Sequence, residues 1–198
     1  MSKIRHLILA ALMTLAAANV AAKDYQMTLF GIKSDGTTMN TRSIQKAIDY
    51  IAQQGGGRLV FTVGRYLTGS IHMRSNVTLH LSEGAILVGS TNPYDYDMEL
   101  NSWYGLILAN KQDNIAITGK GIIDGNSRAL IADITEQTAR GYADANAEVP
   151  ALVALDRCKG VQTSGVTLQN YACPPLQFDH CHNVQVTAVT LGLSDAAM

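Results

Sequence analysis

The sequence predicts an all-β chain wound as a parallel β-helix, with a single α-helix capping its N-terminal end. Three observations carry that expectation. Two segments of fourteen residues repeat at an offset of 23, a spacing typical of stacked architectures. The runs that look like strands are short and are separated by Gly, Ser, Asn or Arg rather than by helices. One amphipathic helical pattern stands just before the first run, where an open coil end needs cover.

Residues 1–22 form a leader. Lys3, Arg5 and His6 give a positive start, Leu7 to Ala18 is apolar, and Val20-Ala21-Ala22 offers small residues before Lys23. This is the three-part pattern of a secretory signal peptide. Its apolar stretch is shorter than the roughly 20 residues that cross a bilayer, so cleavage is expected rather than anchoring. The expected destination is the periplasm or the extracellular space, with no membrane span after signal removal. Residues 23–198 are then expected as the N-terminal part of one parallel β-helix domain.

Asn40 to Gln54 reads as the capping helix. Ile44, Ala47, Ile48 and Ile51 recur at helical spacing. Asn40 or Thr41 is placed to accept the first free backbone N–H groups, and Gly55-Gly56-Gly57 stops the helix. Strands are expected at Leu59–Val63, Tyr66–Met73, Val77–Leu81 and Ala85–Val88. Val77-Thr78-Leu79-His80-Leu81 alternates with period two.

The repeat lays Leu155–Leu168 over Phe178–Leu191, with seven of fourteen pairs identical. Asn114–Gly119 aligns with Gly160–Gly165 at an offset of 46, twice 23. Coils of this kind stack about 4.8 Å apart, so Val161 over Val184, Val166 over Val189 and Leu168 over Leu191 are expected as inward ladders. By the repeat arithmetic about six coils follow Gly57. The polar, Ala-rich segment of about 126–150 breaks the rhythm. It is expected as an excursion from one coil, with a short helix around Ile131 to Arg140.

Composition narrows the function classes. Lys+Arg 15 against Asp+Glu 16 gives a net charge of −1. That leaves no basic excess to hold a phosphate backbone, so a nucleic-acid partner is not expected.

Several stretches, taken in order, resemble a known family. They are Leu29-Phe30-Gly31-Ile32-Lys33-Ser34-Asp35-Gly36, then Asn40-Thr41 and Ile44-Gln45-Lys46-Ala47-Ile48, then Gly55-Gly56-Gly57 and Tyr66-Leu67-Thr68-Gly69. Ser75–Leu79, Gly84–Leu87, Gly89-Ser90 and Ile117-Thr118-Gly119-Lys120-Gly121-Ile122-Ile123-Asp124-Gly125 follow. Together they resemble glycoside hydrolase family 28, the polygalacturonases and rhamnogalacturonases. The resemblance covers nearly all of the chain after the leader except about 127–150. It implies a right-handed parallel β-helix, hydrolysis of α-linked galacturonate chains with inversion, and a galacturonate-rich pectic polysaccharide as partner. The full-length protein is expected to be a monomer.

The family's acids sit in Asn-Thr-Asp or Asn-Asn-Asp and a following Asp-Asp, with Gly-His-Gly and Arg-x-Lys later. None of the first four motifs occurs in these 198 residues. Arg157-Cys158-Lys159 matches Arg-x-Lys in letters but precedes the place of the acids, and is expected as a turn. Asp195 lies near where the first acid would arrive, but it follows Leu193-Ser194 rather than Asn-Asn. No residue is therefore assigned as catalytic, no substrate-binding residue is identified, and no metal or cofactor is expected. The chain is expected to be C-terminally truncated, ending before the acids, and inactive alone.

Asp124 is expected as a turn residue. Asp156 and Asp179 stack on adjacent coils, closer than the about 6.5–9.5 Å an inverting pair needs; Arg157 and His180 beside them suggest surface charge pairing. Cys158 and Cys181 also stack, within the roughly 4.4–6.8 Å reach of a disulfide, or as two small thiols in an inward ladder. Cys181-His182 with Cys158 lacks the paired spacings of a zinc site. Tyr94, Tyr96, Trp103 and Tyr104 either stack on sugar rings or pack the outside of a coil. Asn76-Val77-Thr78 matches a glycosylation sequon at a strand start. Two other functions stay open: a noncatalytic polysaccharide-binding or structural module, and a calcium-dependent pectate lyase, for which no acid cluster is visible.

Overall fold

The computed structural model describes residues 22–99, 103–142 and 149–192. The leader, residues 1–21, lies outside the described residues, and so does Asp195.

Three parallel sheets run the length of the molecule, and the chain visits them in rotation. The first holds β1 (Asp24–Gln26), β2 (Gly57–Phe61), β5 (Val77–Leu81), β9 (Asp113–Gly119), β12 (Lys159–Ser164) and β15 (His182–Thr187). The second holds β3 (Gly64–Thr68), β6 (Ala85–Gly89), β10 (Ile122–Asp124), β13 (Thr167–Gln169) and β16 (Thr190–Leu191). The third holds β4 (Ile71–His72), β8 (Trp103–Asn110), β11 (Ala151–Asp156) and β14 (Leu176–Asp179), with β7 (Met98–Glu99) antiparallel to β8. Each circuit of the three is one coil.

Register corrects the coil arithmetic. Gly57 pairs Val77, Thr78 pairs Ala116, Asp113 pairs Lys159 and Lys159 pairs His182, so successive coils take 20, 38, 46 and 23 residues. The offset of 46 is therefore one coil, not two. The surplus is spent on α2 (Ser127–Ala139), which interrupts the path between the second and third sheets. This helix begins four residues before the expected Ile131 and ends beside the expected Arg140. Among the described residues, five strands of the first sheet follow the cap, rather than about six. The expected strand Tyr66–Met73 is two strands, because the chain bends at Gly69-Ser70 to pass from the second sheet to the third.

Inward side chains stack as the repeat requires. Leu59, Leu79, Ile117 and Thr163 form one ladder, each buried. Leu87, Ile123 and Leu168 form another, also buried. Burying one such aliphatic side chain stabilises the fold by about 1.5–3 kcal/mol. Val161 lies over Val184 and Leu168 over Leu191, as expected.

The corners of the coil are left-handed. Asn76, Asn114, Gly160 and Asn183 occupy one stacked corner with φ of 65°, 54°, 69° and 53°. Asn and Gly are the residues that tolerate this region. That is why the two repeat units exchange Gly160 for Asn183 without loss of register. Asn114 Nδ2 donates to Asn76 Oδ1 at 3.1 Å, so the sequon asparagine is a rung of this ladder.

The cap is α1 (Thr41–Gln53). Ile44, Ala47, Ile48 and Ile51 are fully buried against the first coil. Asn40 does not cap the helix through its side chain. Its Oδ1 accepts Lys33 N–H at 2.8 Å, while Nδ2 donates to the Lys33 and Thr38 carbonyls at 2.9 Å. Thr41 Oγ1 accepts Gly69 N–H at 2.8 Å. The Asn-Thr pair therefore fastens the leader-side loop to the coil, and the helix is held by its apolar stripe instead.

Candidate functional site

The titratable groups converge at one corner of the third sheet. Val153 and Leu155 of β11 belong to the main core, whereas Ala154 between them joins Leu108 in a separate small cluster. Alternation puts Asp156 on the face of Ala154. Asn110, Asp156 and Asp179 stack there on three successive coils. The next residue of each coil is basic and left-handed: Lys111, Arg157 and His180, with φ of 54°, 52° and 49°. A ladder of acid or amide groups thus runs beside a ladder of Lys, Arg and His side chains.

His180 Nδ1 lies 3.4 Å from Asp156 Oδ1 and 3.2 Å from Asp179 Oδ1. Arg157 Nε lies 3.7 Å from Asp156 Oδ2. The sequence expected surface charge pairing here, and the Arg157, His180 and Asp179 side chains are exposed as expected, whereas Asp156 itself is only 3% exposed. Oxygen and nitrogen atoms of Asp156, Asp179 and His180 all lie within 4.8 Å of one another. That separation is shorter than the about 6.5–9.5 Å that leaves room for an attacking water.

The remaining candidates are engaged in holding the coil. Asp124 is buried and accepts from Asn126 N–H at 3.0 Å, Asn170 Nδ2 at 2.9 Å and Gln169 Nε2 at 3.1 Å. Those bonds tie its own turn to the next coil. Tyr96 is buried, donates to the Ser90 carbonyl at 2.7 Å and meets Tyr104 edge-on at 5.8 Å. Tyr104 donates to the Pro93 carbonyl at 3.1 Å, and exposed Tyr94 donates to the Tyr142 carbonyl at 2.9 Å. Burial pushes the Tyr96 and Tyr104 hydroxyls above their ordinary range. These rings pack the outside of a coil; the Trp103 side chain lies outside the described residues.

Arg157-Cys158-Lys159 is the bend between β11 and β12. Among the described residues Cys158, Cys173 and Cys181 form no disulfide. Cys158 N–H points to Cys181 Sγ at 3.4 Å, so the two do stack, as thiols rather than as a bridge. Burial pushes the Cys158 thiol up to about 11. At about pH 8 it therefore holds almost no thiolate, the form that reacts. Iodoacetamide should leave Cys158 unlabelled in the folded chain and label it after denaturation. Peptide mass spectrometry checks this, and rapid labelling of folded protein would contradict it.

A feature missed in the sequence is a shallow open groove along the turns after the first sheet, lined by His80, Glu83, Lys120 and Ser164 among others. His80 Nδ1 and Thr118 Oγ1 are 2.9 Å apart across adjacent coils. Burial, with Arg58 nearby, lowers the His80 imidazole below its ordinary value. No local pattern marks this groove, because its members come from four coils. Among the described residues, no helix is long and apolar enough to cross a membrane.

Stacked parallel coils with a helical cap define a right-handed parallel β-helix. Residues 58–197 match the family described as Glycosyl hydrolases family 28, and the chain belongs to that family. An Exo-poly-alpha-D-galacturonosidase of Dickeya chrysanthemi is 35% identical over 164 residues, covering 75% of this chain and 26% of its own length. A solved chain from Parabacteroides merdae ATCC 43184, assigned as a glycosyl hydrolase, is 48% identical with a TM-score of 0.83 over 88% of this chain and 77% of that one. The family 28 exopolygalacturonase of Yersinia enterocolitica is 28% identical with a TM-score of 0.73, covering 88% of this chain and 40% of that chain. The chain spans about a quarter of the length of the Dickeya relative it matches.

Proposed function

We propose that this chain supplies the capped N-terminal coils of an exported polygalacturonase-like hydrolase acting on galacturonate-rich pectic polysaccharide, and that it carries no catalytic carboxylate pair of its own. The observation that carries the proposal is a mismatch between family and chemistry. The coils belong to glycosyl hydrolase family 28, yet the sequence has no Asp-Asp, Asn-Thr-Asp or Gly-His-Gly. Its two stacked carboxylates are held by Arg157 and His180 at a spacing unsuited to inversion. The acids of such an enzyme would be supplied by sequence outside these 198 residues, in keeping with the small share of the Dickeya relative that the chain spans. Incubated with polygalacturonate or rhamnogalacturonan, the chain should release no reducing ends above a protein-free blank. Release proportional to enzyme concentration would sink the proposal.

A second reading is a binding module that holds pectin without cutting it. It is favoured by the groove that holds Lys120, where an acidic sugar would meet a cation. Affinity electrophoresis in polygalacturonate gels separates the two. Retardation of this chain supports the binding module, and unchanged mobility supports the incomplete hydrolase.

A further inference from the structure

The corner formed by Asp156, Asp179 and His180 leaves one problem unsolved by the charge ladder. Asp156 is almost fully buried, yet neither carboxylate oxygen accepts a hydrogen bond. One coil earlier, Asn110 Oδ1 is also buried with no hydrogen-bond donor. A buried carboxylate without donors is costly, and natural structures satisfy such groups with a partner or a metal ion. The neighbouring Arg157 and His180 side chains do not supply the missing bonds. Arg157 Nε stands 3.7 Å from one oxygen and His180 Nδ1 stands 3.4 Å from the other.

We propose that Asp156, Asp179 and His180 are the three protein ligands of a divalent transition-metal site of the zinc class. Zinc bonded to imidazole nitrogen and carboxylate oxygen at about 2.0–2.1 Å places neighbouring ligand atoms about 3.3 Å apart at tetrahedral angles. The two His180 Nδ1 to carboxylate distances are 3.4 and 3.2 Å. Two carboxylates and one imidazole suit zinc, manganese or iron, whereas calcium takes six or more oxygens. Charge agrees: two carboxylates against the single guanidinium leave an excess negative charge beside a buried oxygen pair. Three protein ligands leave one position open, as in metal sites that bind water or a ligand. The ligands also come from two adjacent coils, so the ion would clamp β11 to β14.

Zinc competition against a chromophoric chelator, followed by thermal melting with zinc or calcium, tests this on the full chain. The wild type should take up one zinc per chain and melt at a higher temperature with zinc but not with calcium. His180→Ala removes an exposed side chain, 65% accessible, so its melting temperature without zinc should match the wild type. Its zinc affinity should fall at least about 100-fold, since losing a ligand costs more than losing an outer partner. Asp179→Asn should behave alike. A wild type that takes up no zinc, or a His180→Ala chain that binds it as tightly, overturns the proposal and leaves the triad as an ion-pair cluster.

Discussion

Gly119→Ala is expected to lower the melting temperature by roughly 6–12 °C, while Gly31→Ala lowers it by much less. Gly119 closes β9 with φ +114°, a region that side-chain-bearing residues rarely enter. A Cβ there would run into the Leu81 carbonyl of the preceding coil, which is backbone and cannot swing away. Strain and overpacking together cost about 3 kcal/mol or more. Gly31 has φ +69°, with no atom within 4 Å of an added Cβ. Only the left-handed backbone penalty of about 1 kcal/mol applies there. The pair separates close stacking of coils from a generic loss of glycine. Equal shifts in the two variants, measured by circular dichroism melting, would contradict the coil-on-coil account.

The second large effect concerns association. Among the described residues β14, β15 and β16 each pair on one side only. Val186 continues the ladder above buried Thr163 but is 45% exposed, and Leu191 is 59% exposed. An exposed strand edge with apolar side chains recruits other chains. Expressed as these 198 residues, the protein should self-associate at micromolar concentration. Val186→Lys puts an inward charge on that edge, a device that blunts edges in natural sheets. The variant should therefore shift the population towards monomer in size-exclusion chromatography with light scattering. A wild type that elutes as a single monomer peak with a sharp, high melting transition would count against an open edge.

Much of the fold was legible because adjacent coils repeat side chains in register. Asp156-Arg157-Cys158 and Asp179-His180-Cys181 align in sequence because they stack in space. Legibility failed where the period was broken. The 46-residue offset equals two plain coils by length, since α2 adds about one coil's worth of chain without altering the register on either side; only the polar 126–150 segment marked the excursion. Tyr66–Met73 read as one strand because both halves are apolar, and the bend at Gly69-Ser70 carries no proline or charge to mark it. Asn40 showed a capping residue type, but its side chain went to the Lys33 backbone, seven residues away. At the candidate site, the stacking of Asp156 on Asp179 was visible from the offset. The burial of Asp156 was not, because sequence spacing sets which face of the strand a residue takes and not what covers that face. The groove of His80 and Lys120 was invisible because it gathers residues from several coils.

The central claim is that the coils of a pectin-degrading family are present here without a working carboxylate pair. The most direct measurement is reducing-end release from polygalacturonate by the purified 198-residue chain, with an Asp156→Asn, Asp179→Asn double variant as reference. The account predicts that both give the protein-free rate. Hydrolysis by the wild type that disappears in the double variant would contradict it and would make the Asp156–Asp179 corner an active site.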